Sequence, residues 1–202
     1  MAVSSESNLP ARERSRRQTR DRLLESGRKL FAERGLHGVT THDIAAGAGV
    51  AAGTFYLHFK GKEALFRVIA EDTIELLRER LLGATRDAPS LRAAVPPFSE
   101  ALVGFAEENR DLVRILFSRD SEAVAVEADV LNELAAIIAD NRRERIARGE
   151  HPAELDPDVL SQALVGLLAR VVAWWVEDPR RASRESVIQT LTRIQLSGTH
   201  PS

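Results

Sequence analysis

The chain has no cysteine, which excludes disulfides, thiolate metal sites and a cysteine nucleophile. Nor does any stretch approach the ~20 uninterrupted apolar residues of a bilayer span. The opening MAVSSESNLPARERSRR lacks the apolar segment of a secretory signal, so a cytoplasmic protein without membrane contact is expected. The five histidines (His37, His42, His58, His151, His200) form no i,i+4 pair and sit in no metal-ligand motif. No serine lies in a G-x-S-x-G elbow, and the carboxylates fall on polar helical faces. These absences argue against a metal, a cofactor and an enzyme. Also missing are internal repeats and runs of alternating β-branched residues bounded by turn signals. An all-α chain remains.

What is present suits one large domain or two small ones: 202 residues, 44% hydrophobic and 29% charged. The net charge of −2 conceals an asymmetry. Residues 1–66 carry 11 Lys+Arg against 7 Asp+Glu, a net +4, whereas the remainder carries 17 against 23, a net −6. A basic head on an acidic body points to a polyanion that meets the head alone, with a solvated charged helix as the plain alternative.

Apolar spacing then divides the chain into helices. Residues 1–18 are polar and Arg-rich and read as a disordered basic arm. Leu23/Leu24, Gly27 and Leu30/Phe31 step by three and four until Gly35. Thr40 and Thr41 are good N-caps for a brief second helix that Gly47 stops, and a third runs from about Ala51 to Phe59. A long fourth helix opens at Gly61-Lys62-Glu63. The segment 87–97 holds three prolines and reads as a linker with one helical turn. Later helices follow from Phe98, from Val130 to the stop at Gly149, from Asp156-Pro157 (an N-cap with proline at the first helical position) and through Val187–Gln195. The expected architecture is a three-helix head over 19–66 and a larger helical domain over 67–202, about nine helices in all.

The stretch GAGVAAGTFYLHFKGKE (47–63) raises a choice between a phosphate-cradling glycine fingerprint and a turn between helices. A dinucleotide fingerprint needs a buried strand before the first glycine and G-x-G-x-x-G spacing. Here the spacing is Gly47-x-Gly49-x-x-x-Gly53, one residue too long, and THDIAA upstream is a capped helical turn. A helix-turn-helix uses the same residues without strain. Gly47 or Gly49 supplies the positive φ of the turn, and Ile44 and Ala45 pack on Val50, Phe55 and Phe59.

This segment resembles the DNA-binding part of the tetracycline-repressor (TetR) family of bacterial regulators. The likeness runs through T-x-x-D-I-A (Thr40, Asp43, Ile44, Ala45), A-G-V (Ala48, Gly49, Val50), G-T-x-Y-x-H-F (Gly53, Thr54, Tyr56, His58, Phe59) and K-x-K-E-x-L (Lys60, Lys62, Glu63, Leu65). It covers about residues 19–66. In one respect the chain departs from the family, which usually has serine or threonine just after G-V. Ala51 stands there, so a helix cap worth about 1 kcal/mol and a phosphate contact are missing.

The resemblance implies that Thr40 approaches a phosphate and that Thr54, Tyr56, His58 and Lys62 hold the DNA backbone. His42 and Ala52, with Thr41 beside them, are the candidates for base edges. Ala51, Ala52 and Gly53 form a small uncharged tip, whose methyl groups suit a thymine methyl. Arg20, with Arg16 and Arg17, suits the backbone or a narrow minor groove. Core packing of the Tyr56 ring, a local backbone bond for His58 and simple solvation of the arginines are the alternatives.

For the body, the family resemblance implies a homodimer on a palindromic double-stranded operator and a pocket for a small effector, hydrophobic if the apolar candidates line it. Leu160, Leu164, Leu167, Leu168, Val171, Val187, Leu191 and Ile194 are the dimer candidates. Phe98, Leu102, Phe105, Leu116, Phe117, Leu134, Ile138, Trp174 and Trp175 are the pocket candidates. Each set has intramolecular core as its alternative. The function implied is a ligand-responsive repressor in which the fourth helix shifts the heads. A DNA-binding regulator without an effector and a helical protein-interaction module stay open as rivals.

Overall fold

The computed structural model describes residues 10–116, 121–149 and 155–197. Within them the chain forms nine α-helices: α1 (Ala11–Arg34), α2 (Thr41–Gly47), α3 (Ala52–Phe55), α4 (Lys62–Thr85), α5 (Leu91–Glu108), α6 (Arg110–Leu116), α7 (Ser121–Ala147), α8 (Pro157–Glu177) and α9 (Arg184–Ser197). A 3-10 turn at Pro179–Arg181 joins the last two. The contacts divide the chain into two units, with the boundary at Ile69/Ala70 inside α4.

In the first unit, α2 packs on both α1 and α3. Leu23, Phe31, Leu36, Val39, Ile44, Phe55, Leu65 and Phe66 are all but fully buried. Phe31 meets Phe66 edge to face at 5.8 Å. Two expectations need correction here. The first helix begins at Ala11, about two turns before residue 19, because ARERSRRQ consists mostly of good helix formers. The third helix spans only Ala52–Phe55, and the chain then leaves it through turns, with Leu57 N–H on Thr54 O at 3.2 Å and His58 N–H on Phe55 O at 2.9 Å.

In the second unit, α7 lies along α8, α5 lies along α9, and α6 touches α7 and α8. The core includes Leu102, Val103, Ala106, Val113, Leu168, Val172, Trp175, Val176, Val187 and Leu191. Segment 87–97 is not a linker throughout. Ser90 caps α5 by accepting the Ala93 N–H at 3.1 Å, and Pro96 and Pro97 lie inside the helix. Each proline removes a helical donor and costs about 3 kcal/mol in a helix interior. Burial of Leu102, Val103, Phe105 and Ala106 in the following turns, at about 1.5–3 kcal/mol for each large side chain, offsets that loss. Helix α8 starts as expected, with Asp156 Oδ1 accepting from Asp158 N–H and Val159 N–H behind Pro157. By length and composition α8 is apolar enough to cross a bilayer, but here Val165, Leu168, Val172, Trp175 and Val176 are buried inside the protein.

Candidate nucleic-acid interface and apolar cavity

The geometry of the head begins with a reciprocal cap. Asp43 N–H donates to Thr40 Oγ1 at 3.1 Å, and Thr40 N–H donates to Asp43 Oδ2 at 2.9 Å. Together they satisfy two backbone donors at the start of α2. The hydrogen bonds from the Thr40 side chain and backbone hold the Asp43 carboxyl below its ordinary range. At the other end of α2, Gly49 takes φ +66. Val50 N–H reaches Ala45 O and Gly49 N–H reaches Ala46 O, each at 3.0 Å. These two bonds form a Schellman motif, which turns the chain sharply into α3. Gly47 has a different role. A Cβ there would sit 2.4 Å from Ser26 Oγ, and that hydroxyl donates to Ile44 O at 2.9 Å. The close approach ties α2 to α1.

None of the expected DNA-facing residues on this frame is buried. Ala51, Gly53, Tyr56, Thr40 and His42 are exposed, while Thr41, Ala52 and Thr54 are half-buried. The cap missing at Ala51 is observed: no side chain bonds the start of α3. Tyr56 is 60% exposed, which disposes of core packing for its ring. Its hydroxyl lies 3.0 Å from Thr41 Oγ1, so the two oxygens form one polar unit across the angle between α2 and the recognition segment. Phe55 beneath it is fully buried and meets both Tyr56 and Phe59.

Three of the sequence candidates have partners within the head. Lys62 Nζ donates to Leu36 O at 2.9 Å, which anchors the start of α4 on the connector after α1 and leaves two ammonium protons for other acceptors. The Arg20 guanidinium lies 5.4 Å from the Phe59 ring centroid. His58 is half-buried, and burial, then Arg16 and Arg20, hold its pKa below the ordinary 6.5. At neutral pH it is therefore an uncharged imidazole with one N–H to donate.

The second unit contains a cavity of about 90 Å³ walled by apolar atoms. Among the pocket candidates, Phe98, Leu102, Phe105, Leu134 and Ile138 line it. Trp174 and Trp175 do not. Trp175 is buried, and its indole N–H donates to Ala182 O at 3.0 Å; Trp174 is exposed, with Arg181 5.7 Å from its ring centroid. Phe117 lies outside the described residues, and Leu116 is placed only as the last residue of α6. The sequence reading missed Thr73, Ile74, Leu77 and Leu81 of α4, and Val165, Leu168 and Val172 of α8, as further walls. Their helical stripe is visible in the sequence, but nothing local shows what the stripe faces.

The dimer candidates divide in the same way. Leu168, Val187 and Leu191 are corrected to the internal core. Leu160, Leu164, Leu167, Val171 and Ile194 keep part of their surface in solvent, and α8 also exposes Val159 and Trp174.

Residues 23–69 match the model of the bacterial regulatory proteins, tetR family. Over 190 residues the chain is 31% identical to the HTH-type transcriptional repressor Rv1474c of Mycobacterium tuberculosis, covering 90% of this chain and 92% of that protein. It is 28% identical over 180 residues to the HTH-type transcriptional regulator YdgC of Bacillus subtilis, covering 84% and 89% respectively. In fold it is similar to the transcriptional regulator FadR from Bacillus subtilis in complex with stearoyl-CoA. The TM-score is 0.74 at 22% identity, over 89% of this chain and 99% of that one.

Proposed function

The chain belongs to the tetR family of bacterial regulatory proteins, and from that premise we propose that this DNA-binding transcriptional regulator is a homodimeric repressor released from a palindromic operator by an apolar effector. The exposed edge from Thr40 to Tyr56, held by a capping box and a Schellman turn, carries the DNA-binding half of the reading. One such edge reads few base pairs, so two copies spaced one DNA turn apart, ~34–36 Å, are needed for useful specificity. The partly exposed apolar residues of α8 and α9 offer the surface for pairing.

Effector release rests on the cavity. Its apolar walls suit an acyl chain or an aromatic compound, and the FadR of similar fold is described with stearoyl-CoA. At about 90 Å³ the space is well below the ~300–1,000 Å³ of ordinary ligand pockets. An effector therefore enters only if the walls move. Four of those walls belong to α4, the helix that starts at Lys62 in the head. Displacement of α4 is the route by which occupancy would reach the DNA-binding edge, and coupling of ~1–3 kcal/mol weakens operator binding severalfold to a hundredfold. The small volume also favours a second reading, a regulator whose body is simply packed and which takes no small molecule.

Titration of the protein's own upstream intergenic DNA, at two salt concentrations, tests both halves. A tight, salt-sensitive complex that resists competitor and is lost on Tyr56→Ala is expected. Weak binding to that DNA and equally to unrelated sequences would sink the operator reading for that site. Adding stearoyl-CoA, then free stearate, to the complex is expected to release it. If neither does, the acyl reading fails and the effector-free regulator gains.

A further inference from the structure

Beside the cavity wall lies a set of ion pairs. Arg80 stands in the turn of α4 that carries Leu77 and Leu81, and Glu108 ends the turn of α5 that carries Phe105 and Ala106; all four apolar residues line the cavity. The Arg80 guanidinium grips the Glu108 carboxylate with two hydrogen bonds, Nη1 to Oε2 and Nη2 to Oε1, the second at 2.9 Å. We propose that this pair is an ionic clasp that fixes the body half of α4 against α5, and that an effector entering the cavity has to open it. The proposal rests on the effector-release reading and names the contact that sets its threshold.

Three observations carry it. First, the clasp is bidentate and joins two helices through residues 28 apart in the chain. A guanidinium fork on a carboxylate fixes direction as well as distance. Arg78 makes a bidentate pair with Glu75 at 2.7 Å, but within α4 itself, so that pair holds no second helix. Second, the clasp lies against the α5 backbone. A Cβ built on Gly104 would be 3.1 Å from Arg80 Nη2 and 3.7 Å from Arg184 Nη2, so two guanidinium groups occupy the space a larger residue would fill. Arg184, the first residue of α9, pairs with Glu107 at 3.3 Å and Glu100 at 3.8 Å, and Arg110 shares Glu107 at 3.4 Å. Cations thus collect at the C-terminal end of α5, where the helix dipole favours them and where Glu107 and Glu108 would otherwise oppose it. The Arg80 hydrogen bonds hold the Glu108 carboxyl below its ordinary range, so the pair is charged at neutral pH. Third, Thr73, Ile74, Leu77 and Leu81 of α4 border the cavity of about 90 Å³. Side chains that face a gap lose dispersion contacts on that side, and a directional polar contact at the helix edge then decides where the helix rests.

The test uses the full chain free of DNA. Because the chain has no cysteine, spin labels can be placed at E79C and R92C, exposed positions of α4 and α5, and their distance distribution reports how α4 sits on α5. R80Q and E108Q should broaden that distribution. R80E/E108R, which restores an opposite-charge pair, should narrow it again, and R78Q, which breaks only the pair within α4, should leave it as in the wild type. A solvent-accessible pair shifts an equilibrium by up to about fivefold. R80Q and E108Q should therefore bind stearoyl-CoA about two- to fivefold more tightly than the wild type by isothermal titration, with R78Q unchanged. Unaltered distributions in R80Q and E108Q would overturn the clasp, whatever the ligand does. Broadened distributions with unaltered stearoyl-CoA affinity would overturn its role as the threshold and leave a structural tie. Broadened distributions beside a wild type that binds no stearoyl-CoA would uphold the tie between α4 and α5 and sink the acyl-effector reading instead.

Discussion

A methyl group added at Gly27 in the head would sit 2.4 Å from Leu65 Cδ2, and one added at Gly47 would sit 2.4 Å from Ser26 Oγ. In the body, by contrast, sixteen side chains surround about 90 Å³ of empty apolar space. The two units are built from similar helices and treat volume in opposite ways. A recognition edge has to hold its side chains within about 0.5 Å of their productive positions, and that demands helices locked against one another. A body that answers to an effector needs some room that its own side chains do not fill. Tightness in the head suits DNA recognition, and slack in the body is what the proposed effector response would use.

Removing volume from the head is expected to have the largest effect. Phe55 is fully buried under the recognition segment, between the Tyr56 and Phe59 rings. Phe55→Ala should destabilise the head by about 3–5 kcal/mol, measured by urea unfolding, and abolish DNA binding. Leu134→Ala, at a half-buried position on the cavity wall, should stay near the low end of such series, about 2 kcal/mol. Similar losses at the two sites would break the contrast between tight and slack packing.

The same contrast explains what was legible before the structure. Capping and turning are local chemistry, so Thr40 could be read as a cap, and Gly47 or Gly49 as the turn, three or four residues at a time. The bonds they make, Asp43 N–H on Thr40 Oγ1 and Val50 N–H on Ala45 O, involve near neighbours in the chain. In the body the deciding contacts are distant. Pro96 and Pro97 read as breakers, yet packing of the later turns of α5 keeps them helical. Leu102 and Trp175 look alike as apolar letters, and only the assembled bundle sends the first to the cavity wall and the second to Ala182 O. The helical start of α1 was hidden for a related reason. The arginines of residues 12–20 are visible in the sequence, but a loose arm fixes no direction for them, and helix α1 does.

Adding volume sharpens the comparison at smaller cost. Gly27→Val drives methyl groups into Leu65 and toward Ile69 Cδ1, which lies 3.3 Å from the built Cβ. Overpacking of this kind should cost about 1–3 kcal/mol. Ala169 lines the cavity and is half-buried. Ala169→Leu should be neutral, or stabilising by up to about 2 kcal/mol as a filled cavity. Thermal unfolding of the two variants checks the signs. If Ala169→Leu destabilises as much as Gly27→Val, the cavity is not available space. If it stabilises and also abolishes release by stearoyl-CoA, the slack of the body and its response share one location.

The smallest expected effect concerns His58, and it probes the head alone. Burial first, then Arg16 and Arg20, hold its pKa below 6.5 in the folded chain. The folded head thus binds fewer protons than the unfolded chain just below that pH, and stability rises with pH through the window. The contribution is present above about pH 6.5 and is lost as pH falls through the depressed value. Arg16→Gln removes one of the two nearby charges and should move the His58 imidazole titration, followed by NMR, upward toward 6.5; Arg14→Gln should leave it in place. If Arg16→Gln leaves the titration unmoved, Arg16 does not face His58. The tight side of the comparison then ends at α3 rather than reaching back along α1.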